Sequence, residues 1–297
     1  MADDKQRATE EEWWDTYADV QEQIWVYDEY FETIVRSGYL QEMVNFLYRP
    51  SGRVLDFGCG SGWVGLRLAE KGMHLEGVDL SAEQIKQAKQ QALERGITNV
   101  NFWQSGVKII EHHLSYDSII VHSLFHHLNT TDKQILLKGI AAKLVDGGKA
   151  YFYEPLAAKH GPDILGRILN KGLLGVFWLM RRIAYWLRLQ EPVVQQAIQS
   201  GWNMQSPNEA PIDLDEFVAM LPPELKLVKV TCWHMATIAY ANLCMGLKPF
   251  WRKLARPLIV FFQIADWIAL SDHYRSYMRA WPMASIMLIK AGKINNY

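Results

Sequence analysis

The chain of 297 residues reads as an α/β protein built on a doubly wound, mostly parallel sheet of seven strands, and three observations predict it. From about residue 50 to 155, five short apolar stretches alternate with amphipathic helical ones, the pattern of consecutive strand–helix–strand units. The first stretch, Arg53-Val54-Leu55-Asp56-Phe57, runs straight into the glycine-rich turn Gly58-Cys59-Gly60-Ser61-Gly62. Two further alternating stretches, 224–233 and 281–290, supply a sixth and a seventh strand.

Taken in order, residues 9–47 are helical and aromatic, with Trp13, Trp14, Tyr17, Trp25, Tyr27, Tyr30 and Phe31 set among Glu and Asp. Pro50-Ser51-Gly52 breaks that helix before the first strand. The glycines after the strand permit tight backbone geometry and close approach of a ligand to the main chain. A helix carrying Trp63, Val64, Leu66, Leu68 and Ala69 is expected behind them, closed at Lys71-Gly72. The second strand, 73–80, ends at Asp79. Ser81-Ala82-Glu83-Gln84 fits a capping box, and Ile85, Ala88 and Ala92 give the next helix its apolar stripe, closed by Gly96. Residues 99–106 hold the third strand and its turn, 116–123 the fourth strand, and Leu124-Phe125-His126-His127-Leu128 follows. A helix over 131–144 turns Ile135, Leu136, Ile140 and Leu144 inward. Asp146-Gly147-Gly148 then leads into a fifth strand, Lys149 to Pro155, that ends on the acid Glu154.

Asp56-x-Gly58-x-Gly60-x-Gly62 resembles motif I of the class I S-adenosylmethionine-dependent methyltransferases, a Rossmann-like family, and the segments after it follow that family in order. The overlapping Gly60-Ser61-Gly62-Trp63-Val64-Gly65 also satisfies the G-x-G-x-x-G pattern of dinucleotide-binding folds, so a NAD-type oxidoreductase is the rival reading. Asp56, two residues ahead of the first glycine, favours the methyltransferase. The resemblance implies S-adenosylmethionine as cofactor, held by Asp56, Gly58, Cys59, Gly60, Gly62, Asp79, Leu80, Ser105, Gly106 and His122. Asp79 is the expected acceptor for the two ribose hydroxyls, since a carboxylate takes two donors at once. The family's usual Gly-Asp after the third strand is absent, which leaves Ser105, Gln104 or a backbone carbonyl to meet the adenine.

His126, His127 and Glu154 are the expected catalytic residues. A histidine titrates near neutrality and suits a general base, although satisfaction by backbone groups is the plainer role. Glu154, at a carboxyl strand end where open α/β sheets place ligands, either takes a substrate proton or amine, or caps a loop. His122, His126 and His127 lack a Cys or Glu at ligand spacing, so no metal is expected.

The expected organisation is an N-terminal helical cap over 1–49, a cofactor-binding core over 50–155, a helical insertion over 156–223, and the last two strands over 224–297 with a helical insert at 237–278. The cap resembles the helices that cover the active site in small-molecule methyltransferases; simple packing of its aromatics outside the sheet is the alternative. Net charge is −1, which excludes a global field for nucleic acid. Charge is uneven, however: residues 159–190 hold six bases and one acid, and 248–256 hold four bases and no acid. Basic clusters joined to apolar and aromatic bulk predict either a substrate lid or contact with an anionic membrane surface through 164–189 and 248–262. Three cysteines without metal spacing fit a reducing compartment. The polar, acidic first residues do not read as a signal peptide, and no apolar run reaches the ~18 residues of a spanning helix. A cytoplasmic protein, peripheral on the inner membrane face, is expected. The expected reaction is in-line methyl transfer to O, N or C of a hydrophobic small-molecule or lipid-like acceptor; a non-catalytic membrane scaffold with the same fold is the second alternative.

Overall fold

The computed structural model describes residues 9–18, 32–106, 114–157, 164–199, 210–234, 236–269 and 283–292. The expected cap residues Trp25, Tyr27, Tyr30 and Phe31, the loop residues 202–209 and residues 270–278 of the second insert lie outside them. Seven strands form one sheet: β1 (Arg53–Phe57), β2 (His74–Asp79), β3 (Val100–Gln104), β4 (Tyr116–His122), β5 (Leu144–Pro155), β6 (Leu225–His234) and β7 (Met283–Lys290). Their order is β3-β2-β1-β4-β5-β7-β6. The first five run parallel, and β7 lies antiparallel between β5 and β6. This is the mixed seven-stranded α/β architecture expected from the sequence.

The helices, in chain order, are α1 (residues 9–18), α2 (Ser37–Leu47, led in by a π-helical turn Glu32–Arg36), α3 (Leu66–Ala69), α4 (Ala82–Glu94), α5 (Thr130–Lys143), α6 (Ile164–Trp186), α7 (Pro192–Gln199), α8 (Leu214–Met220), α9 (Ala236–Met245), α10 (Pro249–Ala255) and α11 (Ile259–Ala269). Side chains from both faces of the sheet fill two cores. Ile119, Val121, Phe152 and Ile286 face α5 and α8, whose Leu136, Leu137, Ile140 and Phe217 complete that side. Val54, Leu75, Ile120, Tyr151 and Met287 face α2 and α4 across the other. Alternation of Ile119/Val121 against Ile120 shows a central strand buried on both faces.

Local chemistry sets several boundaries. Ser81 caps α4, its Oγ accepting the Gln84 N–H at 3.1 Å, and Asn129 caps α5 by accepting from Asp132 N. The helix expected directly behind the glycine turn is short. Residues 58–65 form turns and α3 starts only at Leu66, because the buried Asp56 carboxylate takes the Gly65 N–H at 3.0 Å and holds the chain in the turn until there. The insert between β6 and β7 carries α9, α10 and α11 where two helices were expected. These pack with α6 into a third apolar cluster around Tyr240, Phe177 and Phe262, which also takes in Val35 from the turn before α2.

Candidate active site

All parallel strands end on one edge, and that edge collects the predicted residues. Asp56 lies near the end of β1, Asp79 ends β2, His122 ends β4, and Glu154 is the penultimate residue of β5. Carboxyl strand ends are where open α/β sheets receive ligands.

The glycine turn is pinned from beneath. Gly58 and Cys59 both donate to Val78 O, at 2.8 and 2.9 Å, and Gly62 donates to Cys59 O at 2.9 Å. Gly60 donates to Asp79 Oδ2 at 2.8 Å, while Ser81 donates to Asp79 Oδ1 at 2.9 Å. The Asp79 carboxylate thus ties the turn after β1 to the start of α4, and each oxygen keeps a further lone pair. Gly62 has φ +80°, and a Cβ there would stand 3.1 Å from Ala88 Cβ and 3.2 Å from Phe102 Cζ. Both the left-handed backbone and the closeness of α4 require glycine. Asp56 is buried. One of its oxygens holds Gly65, and Oδ1 has no hydrogen-bond partner. Burial raises the Asp56 pKa to about 7, with the nearby Asp79 charge adding to the rise. Burial also raises Asp79, against the backbone N–H groups that favour its charged form.

The rim beside β2 and β3 is made by Leu80, Gln104, Ser105 and Gly106. Ser105 N donates to Asp79 O at 2.7 Å, and the Gln104 side chain donates to Leu80 O at 3.1 Å. Helix α1 crosses this rim. Gln104 also donates to Glu11 Oε1 at 3.1 Å, Ser81 Oγ donates to Asp15 Oδ1, and Gln87 donates to Ala18 O at 2.9 Å. Trp14 sets its ring edge-on to His127, with centroids 5.2 Å apart.

The turn after β4 is built on Glu154. This carboxylate is fully buried; Oε1 accepts from Leu124 N at 3.0 Å and Phe125 N at 2.9 Å, and Oε2 accepts from His126 N at 3.3 Å. His126 Nδ1 lies 2.6 Å from the same Oε2. Phe125, packed edge-on against both Phe152 and Phe217, which also touch each other, anchors the turn in the core. His127 rests on His126, centroids 3.9 Å apart. Burial, with His126 and Lys133 nearby, lowers its pKa to about 2, so it stays neutral. His122 is lowered to about 3 by burial, with Arg36 and His126 adding to the fall.

Around His122 stands an aromatic group that strand and helix periodicity did not disclose. Tyr153 stacks on His122 at 4.9 Å, Tyr39 stacks on Tyr153 at 3.8 Å, and Trp63 meets His122 edge-on at 5.2 Å. Arg36 lies over Trp63 at 4.6 Å. Tyr153 Oη and His122 Nε2 are buried without a hydrogen-bond partner. The sequence signal was the run Tyr151-Phe152-Tyr153, whose alternation sends Tyr153 to the α2 face; Arg36 and Tyr39 lay unflagged within the expected cap. Among the described residues, no group of three or more His, Cys, Asp or Glu side chains could hold a metal ion.

Residues 54–148 match the family model described as a methyltransferase domain. The ubiquinone biosynthesis O-methyltransferase of Idiomarina loihiensis is 28% identical over 144 residues, covering 48% of this chain and 53% of its own length. The chain thus spans about half the length of the curated relatives it matches. Among solved structures, coclaurine N-methyltransferase bound to N-methylheliamine and SAH superposes with a TM-score of 0.53 at 16% identity, covering 85% of this chain and 72% of that one. The cyclase SpnF gives the same TM-score of 0.53 at 12% identity, covering 86% and 80%. The fold is therefore that of the class I methyltransferases. Within it, residues 54–148 are the part that resembles a methyltransferase domain.

Proposed function

We propose that the protein transfers a methyl group from S-adenosylmethionine to a hydrophobic small-molecule or lipid-like acceptor. The observation that carries this reading is the pairing of Asp79 with the glycine turn. The turn's amides at 58, 59, 60 and 62 are already bonded within the fold, and two carboxylates, Asp56 and Asp79, line the turn. A pyrophosphate needs free amides in such a turn; these four are taken and Asp56 adds an acid beneath them, which argues against a nicotinamide coenzyme, whereas Asp79 would serve a ribose in either family. A cationic donor with ribose hydroxyls fits the same set. Asp79 retains lone pairs for the hydroxyls, and Leu80, Ser105 and Gly106 border the place for the base. Asp56, Gly58, Cys59, Gly60 and Gly62 form the floor, and Asp56 Oδ1 is a buried acceptor without a donor. The rings of His122, Tyr153 and Trp63 suit a cation held beside them.

When bound, the donor supplies an already activated methyl group. The chain's task is then alignment and exclusion of water, effects worth several kcal/mol, and α1 covers the rim for that purpose. Glu154 is fully engaged by three amides and one imidazole, so its part is to position His126 rather than to meet the substrate. With its carboxylate accepting from Nδ1–H, His126 presents Nε2 as the base that removes the acceptor's proton. His127, neutral throughout, packs under Trp14 and seals that side. O-methylation is favoured by the curated relatives, named for O-methyl transfer in ubiquinone biosynthesis. The basic, aromatic inserts fit a cytoplasmic protein held peripherally at an anionic membrane face.

The test is a reaction of methyl-labelled S-adenosylmethionine with cell extract, read by mass spectrometry. Label in an apolar product supports the proposal. Titration calorimetry with NADH as comparator separates the oxidoreductase, and donor binding without any labelled product identifies a scaffold.

A further inference from the structure

We infer that α6, α10 and α11 form a single face that docks on an anionic lipid bilayer. The basic stretches of the two inserts, some sixty residues apart in sequence, are clasped together by main chain. Gln190 and Leu247 form an antiparallel bridge, Lys248 N donates to Leu189 O at 2.9 Å, and Glu191 N donates to Gly246 O at 3.0 Å. Further along, the rings of Phe177 and Phe262 stack 5.3 Å apart. The inner sides of these helices bury Tyr240, Ile259 and Val35. Their outer sides are also apolar: Trp186 is 83% exposed, Trp267 78%, Phe250 70% and Phe261 68%. Helices that bury one apolar side and expose another mark an interaction surface.

Charge selects the occupant. Residues 164–190 and 245–265 contain no acid, while Arg181, Arg182, Arg188, Lys248 and Lys253 lie among the apolar residues. The one acid of α11, Asp266, is turned inward, where it accepts from Ala236 N at 2.7 Å and Thr237 N at 2.9 Å to cap α9. Arg182 covers Trp178 at 5.0 Å. Arg188 has φ +52°, a backbone conformation that suits glycine, yet an arginine occupies it at the clasp. A second copy of the chain would bring cation against cation, whereas anionic headgroups meet the bases while the tryptophans enter the interface. No helix among the described residues is long and apolar enough to cross a membrane, so the contact is lateral. On the inner side of the face Val35 is buried, and its neighbour Arg36 lies over Trp63 beside the strand ends. The docking does not rest on the proposed methyl transfer.

The test is flotation of the full chain with vesicles of phosphatidylglycerol and phosphatidylcholine, and with phosphatidylcholine alone, in the absence of donor and acceptor. The expected result is binding to the anionic vesicles that weakens with salt. Joint Arg182→Glu, Arg188→Glu and Lys253→Glu substitution should lower it on the order of a hundredfold. Trp186→Ser with Trp267→Ser should lower binding at low and high salt alike, with an unchanged circular dichroism melt. No flotation at low salt, equal flotation of the charge-reversed chain, or a dimer in sedimentation that the tryptophan substitutions dissolve would each overturn the inference. Calorimetric binding of the donor, measured apart, shows whether the methyltransferase reading stands when the docking fails.

Discussion

Glu154 Oε2 stands 2.6 Å from His126 Nδ1, while the same carboxylate gathers three consecutive main-chain N–H groups of residues 124–126. One buried acid therefore fixes both the turn and the ring it carries. Replacing it separates the two effects. Glu154→Gln keeps an acceptor for the amides but weakens the hold on the imidazole. We expect kcat to fall by about 10²-fold, the usual worth of a positioned base, with donor affinity unchanged by calorimetry. Glu154→Ala leaves buried donors unmatched and should lower unfolding free energy by about 2–4 kcal/mol in a denaturant titration.

Asp79 links Gly60 to Ser81 and, in the proposed function, the two ribose hydroxyls. Asp79→Ala should weaken S-adenosylmethionine binding by about tenfold to a hundredfold, the loss of hydrogen bonds to a charged group. Calorimetry of the folded variant measures it. Unchanged affinity would remove Asp79 from the donor site.

The glycine turn packs on β2 through Gly77. A Cβ at that position would lie 2.4 Å from Phe102 Cδ1 and 3.1 Å from Cys59 Sγ. Gly77→Ala forces the ring and the turn apart and should cost about 1–3 kcal/mol of stability, read as a lowered melting midpoint. Part of the loss should return with Phe102→Leu, which removes the ring from the path.

The buried histidines set an acid limit. The folded-state pKa is lowered to about 3 for His122 and to about 2 for His127, in both cases mainly by burial. Below an unfolded value near 6.5, the unfolded chain takes up protons that the native one refuses. Stability should then fall by about 1.4 kcal/mol per pH unit for each histidine. Asp56, raised to about 7, acts in the opposite direction: from about pH 7 down to 4 the native state binds its proton first, which offsets one of the two. Asp79, raised by burial as well, also opposes the loss. A slope shallower than that of the two histidines together is expected between pH 6.5 and 4 in denaturant melts, and His127→Asn should flatten it further.

How far the sequence disclosed this site follows from how local each feature is. Strands β1 to β5 and the glycine turn were legible because alternation, glycine spacing and strand-end acids all sit within a few residues of one another. The Ser81 cap was legible for the same reason. The length of α3 was not, because a carboxylate nine residues upstream holds Gly65 in the turn. The alliance of Glu154 with His126 spans 28 residues, and that of Asp15 with Ser81 spans 66; no periodicity reports such pairs. Both residues of the first pair were singled out, but their dependence on each other appears only once β5 lies beside β4. The aromatic group of Tyr39, Trp63, His122 and Tyr153 draws one ring from each of four segments and was invisible for that reason.

The strand order carries a consequence for biosynthesis. β6 touches the sheet only through β7, which inserts between it and β5. A nascent chain that has passed residue 234 holds a complete strand with nowhere to dock, and the β5 border stays bare until residues 283–290 emerge. Throughout that interval the edge of β5 and the unpaired β6 stay open, so ribosome-associated chaperones become natural custodians of the half-made molecule.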